Sequence, residues 1–220
     1  MTERPILMKD HEVRATLAST MTQMRRAIEP QPEWVNENAG SWIAIGEGGM
    51  AGPRSDWLHW RGERVVPNDP RCPYGQPGER LWGRETWAQL GDGDIARKAT
   101  WPDAAHLDDP EPKWRPSAHM PRWASRITLE VTGVRVERLQ DISEADAIAE
   151  GIERGAGFPG WYRGPLAGDS ASLQQAGRDF KIPTAFPHLA YRALWESIHG
   201  PDSWDANPFV WVVEFRRVTP

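Results

Sequence analysis

From Arg126 to Leu139 apolar and polar positions alternate, with Ile127, Leu129, Val131, Val134 and Val136 on the apolar side. A period of two marks a strand buried on one face. Gly133 breaks the alternation and predicts a bulge. Asp141–Glu150 then reads as a helix, with Ser143 as N-cap, Asp146 as a weak capping-box partner and Gly151 as C-cap. Pro187–Ile198 carries Leu189, Ala193, Leu194 and Ile198 at helical spacing. Phe209–Val218 alternates again and predicts a closing strand. Before these elements, Pro5–Met8 predicts a first strand and His11–Leu17 a short helix ending near Ser19. Arg25–Ile28 is an extended piece stopped by Pro30 and Pro32. Ser41–Ile45 and Asp56–Trp60 predict a hairpin joined by the glycine-rich 46–53, with Arg61–Val66 extending it. Two stretches break the pattern: Gly91–Lys113, a surface excursion with a short strand at Ala99–Trp101, and the glycine-rich 153–183.

One further stretch, Gly78–Trp87, reads as a strand after a turn rich in Pro and Gly. Alternation places Trp82, Arg84 and Thr86 on one face and Leu81, Gly83, Glu85 and Trp87 on the other. Each face mixes an aromatic with a charge. If one side of the sheet is buried, Arg84 or Glu85 points inward and needs a partner. Such a charge marks either a site or a pair that holds layers together.

Composition narrows the class. The chain has 220 residues and a net charge of −5, which argues against strong non-specific binding to nucleic acid but leaves room for a pocket that takes one nucleoside. Trp is the outlier, 13 against 3 Tyr and 5 Phe. So many indoles mean an aromatic core or surfaces that stack on flat ligands. A lone cysteine, Cys72, forbids an intramolecular disulfide, and the six histidines lack metal-ligand spacing. No metal and no cofactor are expected. No apolar run approaches a membrane span, and the N-terminus lacks the basic-then-apolar pattern of a secretion signal. The expectation is a cytoplasmic protein with no membrane partner.

The chain resembles the ASCH branch of the PUA-like barrels, in its phage and prophage type. The matching pieces are Pro5–Leu7, Val13–Ala15, Thr22–Arg26, Cys72–Gly75, Gly78–Trp87, His119–Ile127, Asp141–Ile152 and Trp204–Pro208 leading into Phe209–Phe215. The resemblance implies an α+β fold, a small mixed β-barrel decorated by short helices in one domain over 1–220, with insertions at 91–113 and 153–183. It implies a cleft for RNA, DNA or a modified base. A small bacterial member with this architecture removes the acetyl group from N4-acetylcytidine, using a Lys and a Thr three residues apart and a Glu in the later helix. The family signature, Gly-x-Lys-x-x-Glu/Thr-x-Arg, falls on Ser19, Met21, Met24 and Arg26, so only the Arg is kept. The catalytic Glu matches Glu150, and Thr22 sits beside the altered positions.

Methionine has no proton to move and no charge, so Met21 and Met24 cannot replace a Lys and a Thr in amide hydrolysis. They can form a soft wall against a flat base, or simply fill the core. The leading expectation is therefore a binding module for a nucleic acid or modified nucleoside that has lost its catalytic Lys. Met21, Met24, Arg26, Trp82, Arg84, Glu85, Trp87 and Trp123 are the candidates to hold the base. Arg25, Arg122 and Arg126 are candidate phosphate contacts. The alternative is an amidohydrolase on an N-acylated nucleoside, with Glu150 and Thr22 as catalytic residues. A third expectation is a phage accessory protein that binds a host protein, supported by the acidic net charge.

Overall fold

The computed structural model describes residues 3–29, 31–36, 41–44, 72–91, 93–102, 110–154, 162–163 and 186–218. They form a mixed α+β fold, largely sheet with few helices. The strands are β1 (Glu3–Leu7), β2 (Gln23–Ala27), β3 (Pro32–Asn36), β4 (Ser41–Ala44), β5 (Arg80–Arg84), β6 (Trp87–Gln89), β7 (Ile95–Arg97), β8 (Thr128–Arg138), β9 (Glu153–Arg154), β10 (Tyr162–Arg163) and β11 (Phe209–Arg217). The helices are α1 (Asp10–Leu17), α2 (Glu144–Ala149) and α3 (Pro187–His199).

Five strands make the main sheet, in the order β1-β5-β8-β11-β2. β1 runs parallel to β5, and the other neighbours are antiparallel. The bulge expected at Gly133 is present. Glu214 pairs with Gly133 and Phe215 with Val131, so Thr132 is the extra residue. A Cβ at Gly133 would stand 2.6 Å from Glu214 Oε2, so a larger residue there would displace the end of that side chain.

One face of this sheet buries Leu81, Leu129, Val131, Val213 and Phe215 against α1, with Met24 and Val13 in the same core. The other face, at the β11 end, packs Val210 and Val212 against α2 and α3. The alternation of β11 divides its side chains between two cores, as the period of two requires. β11 is thus buried on both faces.

The closed barrel expected from the resemblance is not formed by the described strands. β1 and β2 are the free edges of the sheet order. The sheet nevertheless curls until these edges approach, and Arg26 Nη2 of β2 donates to the Leu7 carbonyl of β1 at 3.2 Å. A side chain bridges the seam where a barrel would have a backbone ladder. β4 pairs with β3, not with the expected 56–60, which lie outside the described residues together with 61–66. The expected strand at 99–101 is instead a 3-10 turn at Lys98–Thr100, preceded by β7, which pairs with β6. In α3 the buried stripe is Pro187, Ala190, Tyr191, Leu194 and Trp195, while Leu189 is exposed. The large rings of Tyr191 and Trp195 bury more surface than Leu189 and Ala193, and they set the helix's rotation. Most of 153–183 lies outside the described residues, apart from the β9–β10 pair.

Candidate functional site

The seam between the two sheet edges opens into a cavity of about 280 Å³. β1 and the turn after it supply Leu7, Met8 and Lys9, and α1 supplies His11 and Glu12. Arg25 and Arg26 come from β2, preceded by Met21, and Glu150 comes from the end of α2. α3 closes the other side with Tyr191, Leu194, Trp195, Ile198 and His199.

Glu150 is placed by several local rules acting together. Ser143 accepts the Asp146 N–H at 3.0 Å and so starts α2 where the sequence expects it. The helix ends at Gly151, whose φ of 88° favours glycine. A Cβ on Gly151 would also meet the Ala15 Cβ at 3.1 Å, so this residue lets α2 end against α1. Glu150 then makes an isolated antiparallel bridge with Met21, and the Thr22 N–H donates to the Ala149 carbonyl at 2.9 Å. The helix end is thereby tied to the entry of β2.

Glu150 is 4% exposed and is held by Arg25. Arg25 Nη1 donates to its Oε1 at 2.6 Å and the Arg25 backbone N–H to its Oε2 at 3.3 Å. Tyr191 lines the same cavity. Burial dominates the carboxyl's titration, and together with the nearby Glu12 charge it outweighs Arg25 and Arg26. The Glu150 pKa is pushed up to about 7. Burial likewise raises the Tyr191 phenol well above its ordinary value, helped by Glu150.

Glu12 behaves in the opposite way. Burial opposes its charge, but Arg26 outweighs burial and holds the carboxyl below its ordinary value. Arg26 Nη1 stands 2.7 Å from Glu12 Oε1, and the Lys9 N–H donates to Glu12 Oε2 at 2.8 Å. One cavity thus holds two carboxyls with opposite shifts, an arrangement that separates a proton donor from a fixed anion near neutral pH. Burial lowers the pKa of His11, and burial with the charges of Lys9 and Arg26 lowers that of His199. His199 stacks on Trp195 at 4.1 Å between ring centroids. Lys9 is exposed, and among the described residues its ammonium has no ion-pair partner.

The sequence-based candidates separate into two groups. Met21, Arg25, Arg26 and Glu150 meet at the cavity. Met24 does not: it is fully buried in the core beneath α1. Thr22 is exposed and lies outside the cavity lining, because strand alternation turns it away from its neighbour Met21. Arg25 was a candidate phosphate contact, but its side chain is fully buried among Glu137, Asp146 and Glu150. Burial opposes its charge, and Glu150 and Glu137 outweigh burial to raise its pKa.

Trp82, Arg84, Glu85, Trp87, Trp123, Arg122 and Arg126 lie away from the cavity lining. Glu85 is the inward charge that Gly78–Trp87 requires, and Arg126 grips it with two bonds of 2.9 Å. That pair holds the sheet to the following loop and leaves Arg126 committed. Arg84 and Arg122 lie over the Trp82 ring at 4.7 and 5.8 Å, and Trp123 meets Trp87 edge to face at 6.0 Å.

Sequence reading missed Lys9, His11, Glu12, Tyr191, Trp195 and His199. The signal for Glu12 was present, since an acid three residues after the N-cap position of α1 can reach back to cap it. Nothing local marks Tyr191 or Trp195 as lining residues rather than core. Among the described residues no cluster of His, Cys, Asp and Glu could hold a metal ion, and no helix is long and apolar enough to cross a membrane.

No protein-family model, curated protein or solved structure matches the chain.

Proposed function

We propose that this chain is a PUA-like module whose seam cavity binds a single nucleobase, as a modified nucleoside or within a nucleic acid. The observation that carries this reading is Glu150, a buried carboxyl held by Arg25 and facing a cavity with a flat aromatic wall and a soft methionine wall. A cavity of about 280 Å³ is at the small end for ligand sites and suits one base better than a larger molecule. Tyr191, Trp195 and His199 offer ring faces, and Met8 and Met21 offer polarisable contacts. The Glu150 carboxyl donates to a base carbonyl below pH 7 and accepts from an exocyclic amine above it. Arg26 adds a fixed cation. The curled sheet with an open seam fits the PUA-like resemblance, and the family's carboxylate is kept while its lysine position is Met21.

A second reading, hydrolysis of an N-acylated nucleoside, draws on the opposed shifts of Glu12 and Glu150. Glu150 in its ionised form would take a proton from the water attacking the acyl carbon and return it to the N4 amine as the C–N bond breaks, while a cation at Lys9 or Arg26 would steady the oxyanion. Calorimetry with N4-acetylcytidine and cytidine, followed by chromatography of the same samples, separates the two. Binding without acetate release supports the module. Release that disappears in Glu150→Gln supports the hydrolase. No heat with any nucleoside in a broad panel rejects both.

A further inference from the structure

The seam cavity has a neighbour. Strand register places Glu3, Pro5 and Leu7 beside Arg80, Trp82 and Arg84, and Trp82 beside Thr128. The alternate residues Ile6, Leu81 and Leu129 are in the core, so this set lies on the outer face of the sheet. Among the described residues, α2 and α3 pack on that outer face at the β11 and β2 end. At the β1 and β5 end Trp82 is buried beneath Arg84 and Arg122, which leave a cationic surface there.

Its parts are connected. Arg84 Nη1 donates to the Ala118 carbonyl at 3.1 Å, next to Ser117, which lines the cavity. From that rim Arg84 lies over one Trp82 ring at 4.7 Å, and Arg122 lies over the same ring at 5.8 Å. Arg122 is fixed by Glu3 at 2.9 Å and by Thr128 Oγ1 at 3.2 Å. The next residue, Trp123, is 67% exposed. It is not loose, because Trp87 supports it edge-on at 6.0 Å, and Arg115 in turn lies over Trp87 at 5.1 Å. Leu7, 53% exposed, stands on the cavity rim beside Arg84.

The exposed indole of Trp123, next to Arg122 and supported by the Trp87 that Arg115 covers, offers a base a stacking face with cations near it. Against a net charge of −5 for the chain, Arg84, Arg115 and Arg122 bring positive charge to this strip, where the described acids Glu3 and Glu130 are paired with Arg122 and Arg216.

We propose that this outer face is a track for a single-stranded nucleic acid, with a base stacked on Trp123, phosphates on Arg84 and Arg122, and the neighbouring base in the seam cavity. This rests on the base-binding reading of the cavity and names its substrate class as a strand rather than a free nucleoside. A duplex is not accommodated, since a base stacked on Trp123 must first leave its own helix.

The test is fluorescence anisotropy with short single-stranded RNA and DNA oligonucleotides and a matched duplex. It uses the full chain, Trp123→Ala and Arg84→Ala, with nucleoside calorimetry run on the same proteins. Single strands are expected to bind more tightly than the duplex. Trp123→Ala should weaken strand binding about tenfold, the loss of one stacked base. Arg84→Ala should lower the slope of log affinity against log salt by about 0.7, one phosphate contact. Nucleoside binding should be unchanged in Trp123→Ala. Strand binding that is absent, or that Trp123→Ala leaves unaltered, overturns the track whatever the nucleoside does. Strand binding lost in Trp123→Ala with no nucleoside bound by any form supports the track and overturns the cavity reading. Circular dichroism of each variant shows that the fold is kept, and Trp123→Phe, which keeps a ring, should restore most of the affinity.

Discussion

Arg25 Nη1 stands 2.6 Å from Glu150 Oε1, and the side chain of Arg25 is wholly shielded from water. The same guanidinium also meets Glu137 and, at 3.5 Å, Asp146. One cation therefore organises three carboxyls from β8 and α2. Breaking a buried pair from one side leaves charge uncompensated and costs about 3–5 kcal/mol. Arg25→Met should be destabilised by that order in urea unfolding at neutral pH. Glu150→Gln, which keeps the shape and leaves Arg25 two carboxylates, should lose well under half as much.

The stability of the protein should carry the titration of Glu150. Burial raises its carboxyl from 4.5 to about 7, so the folded chain keeps a proton that the unfolded chain releases first. The contribution is fully present below pH 4.5 and is lost as pH rises through about 7. Glu12 and Asp146, whose pKa values are lowered, act oppositely: their contribution is present above the ordinary carboxylate range and lost on acidification. The difference between wild type and Glu150→Gln isolates the first effect. Over that window it should move against wild type by on the order of 3 kcal/mol. A flat difference curve would show that Glu150 titrates normally.

Glu12 should tune Glu150. Its negative charge is one reason the Glu150 carboxyl is raised, and it also occupies Arg26. Glu12→Gln removes the like charge and releases the cation, and both changes favour the ionised form of Glu150. Carbon NMR titration of the Glu150 side chain should therefore find its midpoint moved to lower pH. An unmoved midpoint would mean that the two carboxyls are not coupled.

The two methionines of the altered signature should separate. Met24 is fully buried in the core, so Met24→Ala should cost about 2–5 kcal/mol of stability while leaving ligand affinity unchanged. Met21 lines the cavity, so Met21→Ala should weaken a bound base as well. Equal effects of both variants on affinity would place both in the wall.

The sequence was most legible where the physics is local. Alternation located β8 and β11, Gly133 marked the bulge, and Ser143, Asp146 and Gly151 delimited the helix that ends at Glu150. The inward charge in Gly78–Trp87 was also readable, because its faces cannot both be apolar, although only the structure selects Glu85 over Arg84. Non-local relations were not legible. The seam exists because β1 and β2 are opposite ends of a curled sheet, and no short-range pattern encodes that meeting. The stripe of α3 was misjudged because aliphatic spacing was weighed and the rings of Tyr191 and Trp195 were not. Arg25 gave the sequence no sign that three carboxyls distant along the chain would surround it.

The most direct measurement is the affinity for N4-acetylcytidine and cytidine by calorimetry on either side of pH 7, in wild type and Glu150→Gln. The account predicts that wild type binds, that affinity changes with a midpoint near 7, and that Glu150→Gln is weakened and loses that dependence. Affinity that is absent in wild type, or that is equal and equally pH-independent in both proteins, would contradict the assignment of the seam cavity as a base site governed by Glu150.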